Sequence, residues 1–164
     1  EYINNVPDFP LPGIQFKDIS PMIKSPQALD YVVKQLTEKC RYADVILGLD
    51  ARWFIFGPLV AQKLNKPFVM ARKPWKLPGK TIDIVYNLEY KSWQWLSVQE
   101  WAILPWQTVA IVDDLLATWG SANAAWELVR KSGWIVEWNY FVIELTELNG
   151  KDKLEWKVDA ILKF

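Results

Sequence analysis

The sequence predicts an α/β fold in which a central, mostly parallel sheet is flanked by helices. Three short apolar runs, Val45–Leu49, Phe68–Ala71 and Val109–Val112, have the form of strands that are buried on both faces. They alternate with segments whose apolar residues recur at helical spacing. Two of the runs end at acidic residues, Asp50 and Asp113. Polar residues at strand ends are typical of ligand sites at the carboxyl edge of such a sheet.

Three helices are expected beside these strands. An apolar stripe predicts a helix from Ala28 onward, and the stripe consists of Leu29, Val32, Val33, Leu36 and Cys40. The segment Phe54–Leu64 is expected to form the next helix. Ser121 is expected to cap a third helix that ends near Lys131, with Gly133 as its terminator.

The remaining segments complete this architecture. Val6–Pro21 is rich in turn residues and is expected to be extended, without a helix. Arg72–Gln107 is long and rich in Lys, Pro and aromatic residues, which indicates an excursion over the carboxyl edge of the sheet; a lid is one use for it. Apolar runs at Tyr140–Ile143 and Ala160–Phe164 predict the last strands.

The composition restricts the class of protein. A chain of 164 residues that is 51% hydrophobic is expected to form one domain, residues 1–164. Its 19 basic residues offset its 19 acidic residues, so neither nucleic acid nor an anionic membrane is an expected partner. The single Cys40 cannot form an internal disulfide, and no secretory leader is recognised, so the cytoplasm is the expected compartment.

The stretch from Ile111 to Ser121 combines a buried strand, two adjacent acids, a turn of small residues and a helix start. The carboxylates of Asp113 and Asp114 can accept hydrogen bonds from vicinal ribose hydroxyls. The backbone N–H groups of residues 117–121 and the N-terminus of the helix suit a phosphate dianion, to which Ser121 adds a hydroxyl. An ordinary strand-to-helix turn with two solvated acids fits the same residues equally well.

The core of this stretch, Val-Asp-Asp-Leu-Leu-Ala-Thr at residues 112–118, resembles the phosphoribosyl diphosphate motif of type I phosphoribosyltransferases, in its adenine phosphoribosyltransferase form. Four further segments resemble that family in the same order. They are the hood segment at residues 7–21, the pyrophosphate loop at 50–58, the basic loop at 72–79, and Leu88-Glu89-Tyr90 of the lid. The resemblance therefore covers nearly the whole chain and implies the type I fold, with a hood at about residues 1–25 and a lid at about 74–100.

The resemblance implies a role for each matching residue. The ribose diol would be held by Asp113 and Asp114, and the 5-phosphate by Ala117, Thr118, Trp119, Gly120 and Ser121. Pyrophosphate would be held by Asp50, Ala51, Arg52, Arg72 and Lys73. Adenine would contact Gln15, Phe16 and Lys17, with Leu145 as a packing wall. The catalytic residues would be Glu89, acting on the base, and Arg52, facing the leaving group, while Tyr90 would close with Glu89 over the reacting centre.

The implied reaction converts adenine and phosphoribosyl diphosphate to AMP and pyrophosphate, by attack of adenine N9 on the anomeric carbon. The implied cofactor is Mg²⁺, held by donor oxygens and water and not directly by the protein. The implied assembly is a homodimer. Two alternatives stay open: a nucleotide- or donor-binding module of the same fold without catalysis, and a phosphoribosyltransferase for another base.

Tryptophan is unusually abundant, with 11 Trp against 7 Gly and no His. Trp53, Trp75, Trp106 and Trp119 stand where the family has glycine. Three explanations compete: an altered or inactivated protein, a divergent natural member, and residue assignments that differ from the real side chains. Because random drift would not concentrate one costly residue at turn glycines, the first and third are favoured. Exposed indoles could also stack on single-stranded nucleic acid, but the neutral net charge argues against that function.

Overall fold

The computed structural model describes residues 2–88, 91–154 and 157–164. The chain divides into two compact units, one that ends at Gln35 and one that begins at Leu36. The boundary falls inside one helix, α2 (Pro26–Lys39). Among the described residues, no helix is long and apolar enough to cross a membrane.

The first unit contains a two-stranded antiparallel sheet and a short helix. Strand β1 (Asn4–Pro7) pairs with β2 (Gln15–Asp18), as the extended character of this segment suggested. The expectation that no helix forms before Pro21 is wrong, because α1 (Ser20–Lys24) begins inside that segment. Proline lacks a backbone N–H and is tolerated in the first turn of a helix, where Pro21 lies.

The second unit is built on a five-stranded sheet in which all neighbours are parallel, as predicted. Its strand order is β4 (Phe68–Ala71), β3 (Val45–Leu49), β7 (Thr108–Leu116), β8 (Ile135–Glu144) and β9 (Val158–Lys163). All five residues of β3 are buried, which explains its uninterrupted apolar run. Strands β7, β8 and β9 also include residues outside the predicted apolar runs; β7 continues past the predicted end at Val112 because its pairing with β8 continues to Leu116.

Helices α3 (Gly57–Leu64) and α4 (Gly120–Lys131) follow β3 and β7. The predicted start of α3 at Phe54 is wrong: residues 52–54 form a separate 3-10 turn, and Pro58 occupies the first turn of the helix. The predicted cap at Ser121 is also wrong, since Trp119 precedes the helix and no side chain caps it. Gly133 follows the end of α4 with φ of 78°, as expected for a terminator.

The excursion between β4 and β7 contains an antiparallel hairpin that the sequence analysis did not predict. Strands β5 (Thr81–Leu88) and β6 (Lys91–Gln99) form it, after a 3-10 turn at Pro74–Lys76. Apolar side chains of the hairpin and of α4 belong to one buried cluster, which includes Ile84, Leu96, Val98, Ala124 and Leu128. The hairpin is therefore packed beside the segment that links β7 to α4.

Candidate active site

The carboxyl ends of β3 and β7 lie side by side, because the two strands are parallel neighbours with Gly48 in register with Val112. This register brings the acids after β3 and at the end of β7 together. A cavity of about 400 Å³ opens at this edge of the sheet. Its lining consists of Leu49, Asp50, Ala51, Arg52, Tyr86, Leu96, Asp113, Asp114, Leu115 and Ser121. Six of the residues proposed from the sequence for ribose, phosphate or pyrophosphate thus line one cavity.

The adjacent acids at the end of β7 occupy an environment that disfavours charge. Burial raises the pKa of the Asp113 carboxyl well above its usual range, and the negative charge of Asp114 raises it further. The Asp114 side chain, in a residue only 4% exposed, also has a raised pKa, chiefly because of burial. Nearby hydroxyl donors or positive charge would stabilise the ionised forms, so the pair is suited to a polyhydroxylated, charged ligand.

Arg52 supplies positive charge beside this pair. Its Nε lies 2.7 Å from Oδ2 of Asp114, and its guanidinium partly offsets the effect of burial on the pKa of both acids. Arg52 begins the 3-10 turn that directly follows β3, and its side chain is 42% exposed. The guanidinium is therefore held at the cavity wall while its outer face remains accessible to a ligand.

Asp50 binds two further cationic side chains at the same edge of the sheet. Its Oδ2 accepts hydrogen bonds from Arg72 Nε at 3.1 Å and from Lys76 Nζ at 3.2 Å. The Arg72 guanidinium also lies over the Phe54 ring, 5.4 Å from its centroid. The Asp50–Ala51 peptide bond is cis. With Arg52, these groups place three cations beside three carboxylates, which suits a ligand with both anionic and hydroxyl groups.

Lys73 is placed differently from Arg72. Its Nζ lies over the Trp75 ring, 5.4 Å from the centroid, and the residue is not part of the cavity lining. The structure therefore does not bring Lys73 to the cavity with Asp50 and Arg52.

The loop from Ala117 to Gly120 connects β7 to α4, so its backbone lies beside the N-terminus of the helix. Gly150 approaches this loop closely: a Cβ added there would lie 2.7 Å from the Ala117 carbonyl oxygen. Leu145, the proposed base wall, is buried, and its N–H donates to the Leu116 carbonyl at 2.9 Å. The segment after β8 thus supports the loop that would receive the 5-phosphate.

The tryptophans at expected glycine positions do not fill the cavity; none of its described lining residues is a tryptophan. Trp53 is completely buried beside Phe56, with ring centroids 5.3 Å apart. Trp119 is 36% exposed, and Trp75 is largely exposed. The indoles of Trp53 and Trp119 are therefore not part of the cavity lining.

Several proposed roles concern residues of the first unit or residues outside the described ranges. Gln15, Phe16 and Lys17 belong to β2 in the first unit; Gln15 Oε1 accepts from Asn5 Nδ2 at 2.7 Å. Glu89 and Tyr90, the proposed lid residues, fall outside the described residues. Their roles therefore remain predictions from the resemblance.

Tyr86 and Leu96, which come from the hairpin and line the cavity, were not predicted from the sequence. The run Thr81–Tyr86 consists of β-branched and aromatic residues apart from Asp83, a composition typical of strands that could have revealed β5. Lys76, which lies in the basic loop, was also not proposed as a binding residue. Only its contact with Asp50 shows that it reaches the same edge.

The carboxylate oxygens at the cavity suit a divalent cation that is coordinated mainly by a bound ligand. Within the described ranges, no group of three or more His, Cys, Asp or Glu side chains is arranged to hold a metal ion. The carboxylates of Asp50, Asp113 and Asp114 are hard oxygen donors of the kind that Mg²⁺ prefers, directly or through water.

Comparison with known proteins assigns the family. Residues 22–159 match the model of the phosphoribosyl transferase domain. The adenine phosphoribosyltransferase of Mycoplasma mobile is 50% identical over 164 residues, covering 100% of this chain and 95% of that relative. The crystal structure of the enzyme from Thermoanaerobacter pseudethanolicus superposes with a TM-score of 0.94 at 42% identity, covering 99% of this chain and 96% of that one. The Saccharomyces cerevisiae enzyme, solved with adenine and an imino-altritol bisphosphate, has a TM-score of 0.91 at 36% identity, covering 98% and 94%. The chain belongs to the phosphoribosyltransferase family and, within it, to the adenine phosphoribosyltransferases.

Proposed function

We propose that the chain is a glycosyltransferase of adenine salvage, which transfers the phosphoribosyl group of phosphoribosyl diphosphate to adenine. The products are AMP and pyrophosphate. The observation that supports this most directly is the cavity in which Asp113, Asp114 and Arg52 meet Ser121 at the start of α4. That combination offers acceptors for a ribose diol, a cation for a leaving anion and a helix N-terminus for a phosphate.

We propose that phosphoribosyl diphosphate lies along the cavity, with its 5-phosphate near the start of α4 and its pyrophosphate near the end of β3. The 5-phosphate would accept hydrogen bonds from backbone N–H groups of Ala117, Thr118, Trp119 and Gly120 and from the Ser121 hydroxyl. The ribose hydroxyls would donate to Asp113 and Asp114. Pyrophosphate would lie toward Asp50 and Ala51, where Arg52, Arg72 and Lys76 supply positive charge, while a role for Lys73 rests on the resemblance alone.

In the reaction, adenine N9 forms a bond to the anomeric carbon while the bond from that carbon to the pyrophosphate oxygen breaks. Positive charge develops on the sugar, and the carboxylates of Asp113 and Asp114 stabilise it. Arg52 stabilises the negative charge on the departing pyrophosphate. Glu89 would accept or polarise the N9 proton, and Tyr90 would close with it over the reacting atoms. Catalysis then consists mainly of positioning and charge stabilisation.

Mg²⁺ is the cofactor that we assign to this reaction, because the resemblance implies it and the carboxylates of Asp50, Asp113 and Asp114 are oxygen donors that suit it. When bound, it neutralises part of the donor's negative charge. The protein's own part is to orient the donor oxygens with the carboxylates and cations described above. Phosphate and ribose oxygens of the donor, together with water, would complete the coordination.

For the base, we assign Gln15, Phe16 and Lys17, with Leu145 as the apolar wall. The Saccharomyces cerevisiae relative was solved with adenine, which supports adenine as the base here. We also infer that the two compact units form one phosphoribosyltransferase domain, because the family model spans residues 22–159 and so includes parts of both. A homodimer and a cytoplasmic location complete the proposal. Sedimentation velocity of the purified protein tests the dimer.

A direct assay tests the function. Purified protein, adenine, phosphoribosyl diphosphate and Mg²⁺ are expected to yield AMP and pyrophosphate in equal amounts. Absence of product together with a thermal shift on adding AMP would instead support a binding module of the same fold. Competition among adenine, guanine, hypoxanthine and uracil tests the base, and preference for any base but adenine would overturn that assignment.

A further inference from the structure

Tyr86 joins the hairpin to the loop that would receive the 5-phosphate. It lies on β5 and lines the cavity with Ser121 and Asp113, and a side-chain hydrogen bond with Ser121 acts to lower the pKa of its phenol. Its ring is partly buried against the core formed by the hairpin, the sheet and α4. The phenol is therefore fixed by packing on one side and by a hydroxyl at the start of α4 on the other.

A second contact ties the same strand to the far end of α4. Lys131 Nζ, in the last turn of the helix, donates to the Asp83 carbonyl at 2.6 Å. Strand β5 is thus attached to both ends of α4, through Asp83 near the C-terminus and through Tyr86 near the N-terminus. A side chain at the N-terminal end of this arrangement can set the orientation of the Ser121 hydroxyl.

We propose that Tyr86 is a positioning residue for the 5-phosphate of the donor, which acts by holding the Ser121 hydroxyl in the rotamer that donates to phosphate. Without a ligand, the hydrogen bond that acts to lower the pKa of Tyr86 is one that Ser121 donates to the phenol oxygen. Each hydroxyl has one proton and lone pairs, so when a phosphate binds, Ser121 can turn its proton to a phosphate oxygen and accept from the Tyr86 hydroxyl instead. Tyr86 itself needs no contact with the reacting atoms. This inference rests on the proposed function, because it assigns the phosphate to the start of α4.

The burial of the phenol agrees with this role. Burial raises the pKa of Tyr86, and the negative charge of Asp113 acts in the same direction, although the Ser121 hydrogen bond opposes the shift. The hydroxyl therefore remains protonated and able to donate throughout the neutral range.

Kinetics of Tyr86→Phe and Ser121→Ala, alone and combined, test the proposal. Tyr86→Phe is expected to raise the KM for phosphoribosyl diphosphate about threefold to tenfold, as for loss of one neutral hydrogen bond, while kcat and the KM for adenine change little. The double variant is expected to show strong coupling, because without the Ser121 hydroxyl the phenol has nothing to orient. Tyr140→Phe, which removes a buried hydroxyl outside the cavity, serves as the control.

Equal effects of Tyr86→Phe on both KM values, or additive effects in the double variant, would overturn the proposal. The affinity of each variant for AMP, measured by calorimetry, allows the same comparison without the need for turnover. If the unaltered protein makes no AMP but binds it, the proposed function fails, and the affinity ratio of the variants still decides the role of Tyr86. An AMP affinity unchanged by Tyr86→Phe would contradict that role.

A second inference comes from the turn between Leu104 and Gln107. Gln107 N donates to the Leu104 carbonyl at 3.3 Å, Pro105 occupies the second position, and Trp106 at the third has φ of 72°. Proline followed by a residue of positive φ is the pattern of a type II turn, whose third position favours glycine or asparagine. The other described non-glycine residues with positive φ are Asp8, Asn65 and Asn149, types that tolerate this conformation.

Trp106 has no evident reason to occupy such a position. It is 81% exposed, so burial of the indole does not compensate for the backbone conformation. The chain contains more tryptophan than glycine, and Trp75, Trp93 and Trp101 are also largely exposed. A substitution of glycine by tryptophan at many positions accounts for both observations together.

We propose that position 106 carries glycine in the protein made by its own organism. One genetic code translates as glycine a codon that another code translates as tryptophan, and such a codon at position 106 would account for the tryptophan there. The same substitution would apply at Trp53, Trp75 and Trp119, which also stand where the family that the chain resembles has glycine. Peptide mass spectrometry of the protein isolated from its natural source tests this directly. Glycine in the peptide that spans residue 106 is the expected result, and tryptophan there would overturn the proposal.

Discussion

The Nε of Arg52 lies 2.7 Å from Oδ2 of Asp114, a carboxylate that is almost completely buried at the end of a central strand. The pair links the turn after β3 to the end of β7 across the edge of the sheet. An isolated buried carboxylate is costly, so the guanidinium makes it possible to keep an acid at this depth. The arrangement also leaves part of the guanidinium open for an anionic ligand.

Arg52→Gln is expected to lower kcat/KM for phosphoribosyl diphosphate about 100-fold, because it removes the cation proposed to face the leaving pyrophosphate. It should also raise the pKa of Asp114, since the charge of Arg52 is the largest of the influences that oppose the effect of burial. Steady-state kinetics across a pH series measures both effects. Arg41→Gln is the control, because Arg41 is exposed and pairs with Glu38 at 3.1 Å. A change no larger than that of the control would contradict the assignment of Arg52.

Asp113→Asn is expected to stabilise the unliganded protein and to abolish most turnover. Burial raises the pKa of Asp113 in the folded state, so the ionised carboxylate opposes folding. This destabilisation is absent below the ordinary pKa of aspartate, grows as the pH rises from there to the raised pKa, and stays constant above it. The variant should therefore gain about 1 kcal/mol in the free energy of unfolding near neutral pH, and the gain should disappear below about pH 4.

Denaturant unfolding at several pH values measures this gain. Asp44→Asn is the control, and it should change the free energy of unfolding in the opposite direction, because hydrogen bonds from Thr108 lower the pKa of Asp44. That variant should lose stability above the ordinary pKa of aspartate, and the loss should vanish as the pH falls through the lowered pKa. A gain for Asp113→Asn that is constant with pH would show that its carboxylate is not the cause.

How much of this site the sequence could predict depends on how local each feature is. Asp50 and Asp113 were placed at one edge because parallel strands align their carboxyl ends. The resemblance grouped Arg72 with Asp50, but the contact of Lys76 with Asp50 was not predicted, since it depends on how the basic loop folds back. The presence of Tyr86 in the cavity depends on the hairpin, whose strands were hidden within a segment interpreted as an excursion.

Helices α3 and α4 begin at residues other than those predicted, and the difference has a simple physical cause. Ser121 has the residue type of a cap, but α4 begins at Gly120, two residues earlier than such a cap would place it, so Ser121 lies in the first turn and lines the cavity. Likewise, residues 52–54 form a turn of their own before α3, which directs Arg52 toward Asp114. Intrinsic preferences predicted that these helices exist, whereas the requirements of the site determine where they begin.

Gly150→Ala is expected to weaken donor binding without removing the catalytic groups. Its Cβ would lie 2.7 Å from the Ala117 carbonyl oxygen, and a backbone atom can relieve that contact only by moving the loop. We expect the KM for phosphoribosyl diphosphate to rise about tenfold and the free energy of unfolding to fall by about 1 to 2 kcal/mol. Leu148→Ala, in the preceding turn and partly exposed, is the control. A rise in the KM for adenine alone would show that this segment serves the base and not the phosphate.

Trp106→Gly is expected to raise the free energy of unfolding by about 1 kcal/mol, because glycine adopts a positive φ without the steric cost that tryptophan incurs. Little burial is lost, since the indole is exposed. Thermal and denaturant unfolding measure the gain. Trp101→Gly is the matched control: Trp101 is similarly exposed but lacks a positive φ, so glycine there should be neutral or destabilising. Equal changes in the two variants would mean that the turn does not disfavour tryptophan.

Trp119→Gly is expected to strengthen binding of the donor and of AMP, because residue 119 lies in the loop proposed to hold the 5-phosphate. Its φ of −72° and ψ of −15° are accessible to either residue, so the substitution should preserve the start of α4. Removal of the indole allows a phosphate to approach the backbone N–H groups more closely, and we expect an affinity gain of about tenfold, the equivalent of one good hydrogen bond.

Calorimetric titration with AMP and the KM for phosphoribosyl diphosphate measure the effect of Trp119→Gly, with Trp101→Gly again as the control. An unchanged affinity would place the indole clear of the phosphate. A reduced affinity would mean that the indole itself contacts the ligand, and the loop would then bind phosphate through its side chain as well as its backbone. The expected gain, combined with glycine at this position in the natural protein, would explain how a chain with so many tryptophans retains a phosphate-binding loop.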